Sequence, residues 1–83
     1  MPYRKILADN LIKFRQLENL TQAEISVRSA VSIDTISLIE RECTNVTLDV
    51  LERLASYTGL TIPELLTENF VNYTLIRMKE KTK

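Results

Sequence analysis

Little in this 83-residue chain is equipped for covalent chemistry. It has no His, one Cys (Cys43) and one Gly (Gly59). That removes a Ser-His or Cys-His nucleophile, a His general base and a His-based zinc site. It also leaves no zinc ribbon, P-loop or dinucleotide loop. Catalysis would have to rest on carboxylates, Lys or Tyr. No convergent acid, base and nucleophile set is visible, so the expectation is no enzyme, no metal and no cofactor. What the sequence does offer is polar side chains grouped at helix starts. Gln22 follows Thr21 at one start, and Ser32, Asp34, Thr35 and Ser37 surround the next. Amides and polar side chains at a helix N-terminus suit anionic oxygens.

The elements that must position these groups read as short helices divided by turn signals. No Asn-Gly or similar pair is present to close a tight hairpin. The first helix is expected from about Tyr3 to Glu18, with Leu7, Leu11 and Phe14 on one face and Asn19 as its stop. Thr21-Gln22-Ala23-Glu24 is a capping box that opens the second helix. That helix must end near Ser29 or Ala30, because Ser32 caps a third, about Ile33 to Arg41, with Ile36 and Ile39 inward. Residues 42–46 read as a loop. Thr47 caps a fourth helix, about Leu48 to Thr58, whose buried stripe is expected to be Leu48, Leu51, Leu54 and Ala55, and Gly59 ends it. Thr61-Ile62-Pro63-Glu64 is a second capping box with Pro in the first turn. The fold class is therefore all-α, five helices over residues 1–67, with an extension at 68–83.

Only a few residues join the second and third helices, so the two must meet at a large angle. This is helix-turn-helix geometry, in which the second helix of the pair enters the major groove of DNA. Leu20-Thr21-Gln22-Ala23-Glu24-Ile25-Ser26, followed by Val31-Ser32-Ile33-Asp34-Thr35-Ile36-Ser37-Leu38-Ile39-Glu40-Arg41, resembles the Cro- and phage-repressor-like helix-turn-helix family. The similarity spans about residues 5 to 66.

The resemblance implies a five-helix domain that binds double-stranded operator DNA as a two-fold dimer. Gln22 would touch phosphate or a base at the edge of the site. Ser32, Ile33, Asp34, Thr35, Ser37 and Leu38 would line the groove face. Base readout prefers Arg, Lys, Asn or Gln, and this face has none. Ser37 and Thr35 can donate or accept, Ile33 and Leu38 can meet thymine methyls, and Asp34 can accept from cytosine N4. Asp34 has an equal structural use, since a carboxylate in the first turn stabilises the helix dipole. Arg15 and Glu40 match positions that form a partly buried ion pair in the family. Thr44, Asn45 and Thr47 match a region that contacts phosphate, with Arg41, Arg28 and Lys13 as further cations. The sequence departs from the pattern at three points: Ala30 where Gly is favoured at the bend, Glu42 where Gly or Asn is customary, and Cys43 where Lys or Arg is frequent.

Phe70, Val71, Tyr73, Leu75, Ile76 and Met78 make an extension too apolar for a solvated tail. The preferred expectation is a strand or arm, while Val71, Leu75 and Met78, spaced four and three apart, would also suit a helix; Phe70, Val71, Tyr73, Leu75 and Ile76 are expected at a homodimer contact. Folding back over Ile12 or Leu17 is the alternative. No apolar run approaches the roughly 20 residues of a membrane helix, and a single Cys fits a reducing cytoplasm.

Eleven Lys or Arg balance eleven Asp or Glu. Zero net charge argues against non-specific nucleic-acid binding, which depends on phosphate neutralisation. Two function classes follow: a sequence-specific regulator of the phage-repressor, restriction-modification controller or plasmid type, and a protein-interaction module of antitoxin or anti-repressor type on the same fold.

Overall fold

The structure is a computed structural model that describes residues 2–71. It contains α1 (Tyr3–Leu17), α2 (Gln22–Ser29), α3 (Ile33–Glu40), α4 (Leu48–Thr58) and α5 (Ile62–Leu65). No strand occurs among the described residues. No helix there is long and apolar enough to cross a membrane.

Side-chain caps define the helix starts. Thr21, Ser32, Thr47 and Thr61 each accept from the amide three residues on, and Glu24 and Glu64 complete their capping boxes. Left-handed residues end α1 to α4, where Asn19, Ala30, Glu42 and Gly59 have positive φ, as does Asn69 beyond α5. After α1, Asn19 and Leu20 donate back to Gln16 and Arg15; after α3, Glu42 and Cys43 donate back to Ile39 and Leu38. Each is a Schellman closure that satisfies the last carbonyls.

Between these ends, apolar stripes meet in one core. Leu7, Leu11 and Phe14 from α1 join Ile25, Val31, Ile36, Ile39, Leu51, Leu54, Leu60 and Leu65. The α3 helix packs against α1 and α2, α4 against α2 and α5, and α5 against α1. Asn10 lies inside this core and is satisfied there. Its amide donates to the carbonyls of Leu65 at 2.8 Å and Thr67 at 2.9 Å, closing the end of α5.

Two expectations are corrected. Leu48 is 72% exposed, not part of the α4 stripe. It is the first residue after the Thr47 cap, where a side chain leans back towards the helix start and past the core; the buried stripe begins at Leu51. Val71 is not available to a dimer partner. It is fully buried in the protomer's own core, and Phe70 packs partly buried beside it. Asn69 is left-handed, and residues 70–71 are helical, the conformation that the spacing of four and three allows. The other expected dimer residues, Tyr73, Leu75 and Ile76, lie outside the described residues.

Candidate nucleic-acid interface

The α3 helix splits cleanly into two faces. Ile36 and Ile39 are buried. Ser32, Ile33, Asp34 and Arg41 are exposed, and Thr35, Ser37 and Leu38 are half-buried at the margin. Ile33 remains 46% exposed, an apolar side chain with no role in the core. The Ser32 hydroxyl is committed locally: it accepts from the Thr35 amide and donates to the Thr35 hydroxyl at 2.8 Å. Among the described residues, Arg41 Nε reaches only its own helix, at the Ser37 carbonyl 3.4 Å away.

Three helices are fixed together behind this face by one polar cluster. Arg15 Nε donates to Glu40 Oε2 at 2.8 Å, and its Nη2 donates to Glu40 Oε1 at 3.0 Å. Such a bidentate pair restrains direction as well as distance. Arg15 Nη1 also donates to the Leu20 carbonyl at 3.1 Å, holding the end of α1. Gln22 Nε2 donates to the same Glu40 Oε1 at 3.0 Å, bringing in the start of α2. A carboxylate can only accept, which fixes the amide orientation and leaves the Gln22 oxygen and one N–H turned elsewhere. The Glu40 side chain is only 6% exposed.

The bend between α2 and α3 is closed by short side chains. The Ser26 hydroxyl donates to the Val31 carbonyl at 2.6 Å, and the buried Ser29 hydroxyl accepts from the Val31 amide at 3.3 Å. Ala30 takes φ +62°, a conformation that Gly adopts without cost and Ala does not. From α4, Arg53 donates to the Ala30 carbonyl at 2.7 Å and pairs with Asp49 at 3.1 Å.

In the loop after α3, Asn45 is exposed and its side-chain oxygen accepts from Arg4 at the start of α1. Thr44 lies beside it, half-buried, and Cys43 is an exposed free thiol. The structure therefore brings Gln22 and Glu40 to one cluster and Arg41, Thr44 and Asn45 to one end of α3. Sequence reasoning missed Arg4 and Arg53. Their partners are 41 and 23 residues away, and no local pattern marks such contacts.

Charge is spread unevenly along the chain. Residues 2–71 hold seven Lys or Arg and ten Asp or Glu; residues 72–83 hold four and one. The described part is thus net acidic, and any anion-binding surface on it must be local.

Two short helices, a left-handed bend closed by serines, and a second helix with one face buried and one free define a helix-turn-helix. The model of the helix-turn-helix family HTH_3 matches residues 11–65. The chain belongs to this Cro-type family of DNA-binding transcriptional regulators. The control protein C.SmaI of Serratia marcescens is 36% identical over 67 residues, covering 81% of this chain and 80% of that protein. An HTH-type transcriptional regulator of Sinorhizobium fredii, y4dJ, is also 36% identical over 67 residues, covering 81% and 87%. No solved structure matches the chain.

Proposed function

We propose that the protein is a sequence-specific transcriptional regulator that binds a palindromic operator as a homodimer, with α3 in the major groove. The observation that carries this reading is the free face of α3, where Ile33, Asp34 and Arg41 stand exposed on a helix whose angle is locked from behind by Arg15 and Glu40. Ser37 and Leu38 at its margin read bases, and Arg41, Thr44 and Asn45 meet phosphate. Gln22 touches phosphate at the site edge with the amide groups that Glu40 leaves free. Tyr73, Leu75 and Ile76 belong to the dimer contact. A two-fold dimer sets its two α3 helices about 34 Å apart, one turn of DNA. The protein works in the cytoplasm, where its DNA is. Among the possible settings, a control-protein role has a named relative in its favour.

Substituting Ser37 and Leu38 together by Ala tests the assignment. Sequence preference is expected to broaden at the base pairs they face. Unchanged preference in the double variant means that α3 is not the reader.

A second reading, a protein-interaction module with little DNA binding, draws on the net acidic described domain and on Val27 and Leu48, 82% and 72% exposed. Salt separates the two. DNA affinity falls steeply as salt rises, with a slope that counts phosphate contacts, whereas a protein partner shows a weaker dependence.

A further inference from the structure

Three unfavourable features meet at Glu42. Its φ is +60°, where a side chain crowds the backbone and Gly or Asn is the comfortable choice. Equivalent positions after α1 and α4 do carry such residues, Asn19 and Gly59. Glu42 is also the residue just past the C-cap of α3, at the negative end of the helix dipole, where a carboxylate is repelled. Finally, it is an anion in the same loop as Thr44 and Asn45, next to Arg41. No close compensation is present among the described residues. Glu42 is exposed and forms no ion pair among the described residues. Lys5 senses its charge, but the Lys5 ammonium is bonded to Asp9 at 2.9 Å.

A costly residue held by a rigid closure, with its backbone amide bonded to Ile39 at 3.0 Å, points to function rather than folding. We propose that Glu42 is a specificity determinant whose carboxylate weakens binding to unrelated duplex more than binding to the operator. The proposal rests on α3 being the reading helix. Non-specific complexes are held by phosphate contacts alone and sample many registers. A carboxylate carried at the end of α3 meets phosphates in most of those registers and repels them. In the operator complex, base contacts select one register. There Arg41, Thr44 and Asn45 take the phosphate, and the carboxylate stands clear of it. The device is repulsive discrimination against wrong sites.

The test uses the full chain and two duplexes: one enriched by the wild type from a random pool, and one of unrelated sequence and equal length. Glu42→Gln keeps the backbone conformation and removes the charge. Its affinity for the unrelated duplex is expected to rise about two- to fivefold at low salt, the range that exposed charge pairs give. Its affinity for the enriched duplex should rise less, so the selectivity ratio falls. The gap should close as salt screens the charge. Glu42→Gly, which also relieves the backbone, should show the same loss of selectivity with a higher melting temperature, separating charge from folding. Unchanged affinity for the unrelated duplex, or equal tightening on both duplexes, overturns the proposal. A wild type that binds neither duplex overturns the DNA-reading assignment itself, and is seen before any variant is made.

Discussion

The Arg15 guanidinium grips the Glu40 carboxylate through two hydrogen bonds, 2.8 Å and 3.0 Å long, and Gln22 shares one of the two oxygens. The pair ties the end of α1 to the end of α3, and Gln22 ties the start of α2 to both. Arg15→Met would leave Glu40, 6% exposed, with Gln22 as its remaining polar partner among those three side chains. Removing one member of a buried pair costs about 3–5 kcal/mol. Gln22→Ala deletes one hydrogen bond and should cost about 1–2 kcal/mol. Urea unfolding of both variants measures the difference. Equal, small losses would mean that the pair is not what holds the angle.

Ala30 gives a prediction of opposite sign. It sits at φ +62° at the bend, and Ala30→Gly removes the clash of its Cβ with the backbone. The variant should be more stable by about 0.5–1 kcal/mol, after the added freedom of Gly in the unfolded chain is subtracted. The Arg53 bond goes to the backbone carbonyl, so the substitution leaves it intact. A denaturant midpoint at or below that of the wild type would contradict strain at this bend.

The capping box of α2 makes stability depend on acid. The Glu24 carboxylate accepts from the Thr21 amide at 2.9 Å, and this bond holds its pKa below the ordinary 4.5. A group depressed in the folded state contributes stability above its unfolded value. That contribution is lost as pH falls through the folded value. Glu24→Gln keeps the box without the charge. Melting midpoints of wild type and variant should therefore differ most at neutral pH and converge below 4.5. A constant gap across that range would show that Glu24 is not coupled to the fold.

The position of Val71 decides where the chain can be cut. Ending it at residue 67 removes a fully buried core side chain, and should cost about 2 kcal/mol or more. Ending it at Val71 keeps every core side chain of residues 2–71, and its thermal midpoint should stay near that of the full chain. If Tyr73, Leu75 and Ile76 form the dimer contact, this shorter chain sediments as a monomer. A dimer that survives the cut rejects that assignment.

How much was legible beforehand follows the range of each signal. Thr21 with Glu24, and Thr61 with Glu64, act across three residues, and both capping boxes formed as their spacing suggests. Leu7, Leu11 and Phe14 repeat at helical spacing and are buried. Asn10 falls on that same face, but a polar residue gives no apolar signal. Its burial is explained only by the carbonyls of Leu65 and Thr67, brought alongside by the fold. Leu48 misled for a local reason, its place in the first turn. Val71 misled for a distant one, the left-handed turn at Asn69. Within the site, Arg15 and Glu40 were legible through family resemblance, whereas the Arg4–Asn45 and Arg53–Ala30 bonds depend wholly on tertiary packing.

Selection of the full chain against a random DNA pool at about 0.1 M salt tests the central claim most directly. If, as proposed, a two-fold dimer presents the free face of α3 twice, the pool should enrich a palindrome with half-sites about ten base pairs apart, centre to centre. Enrichment of no sequence at all, with binding that ignores the duplex offered, would contradict it.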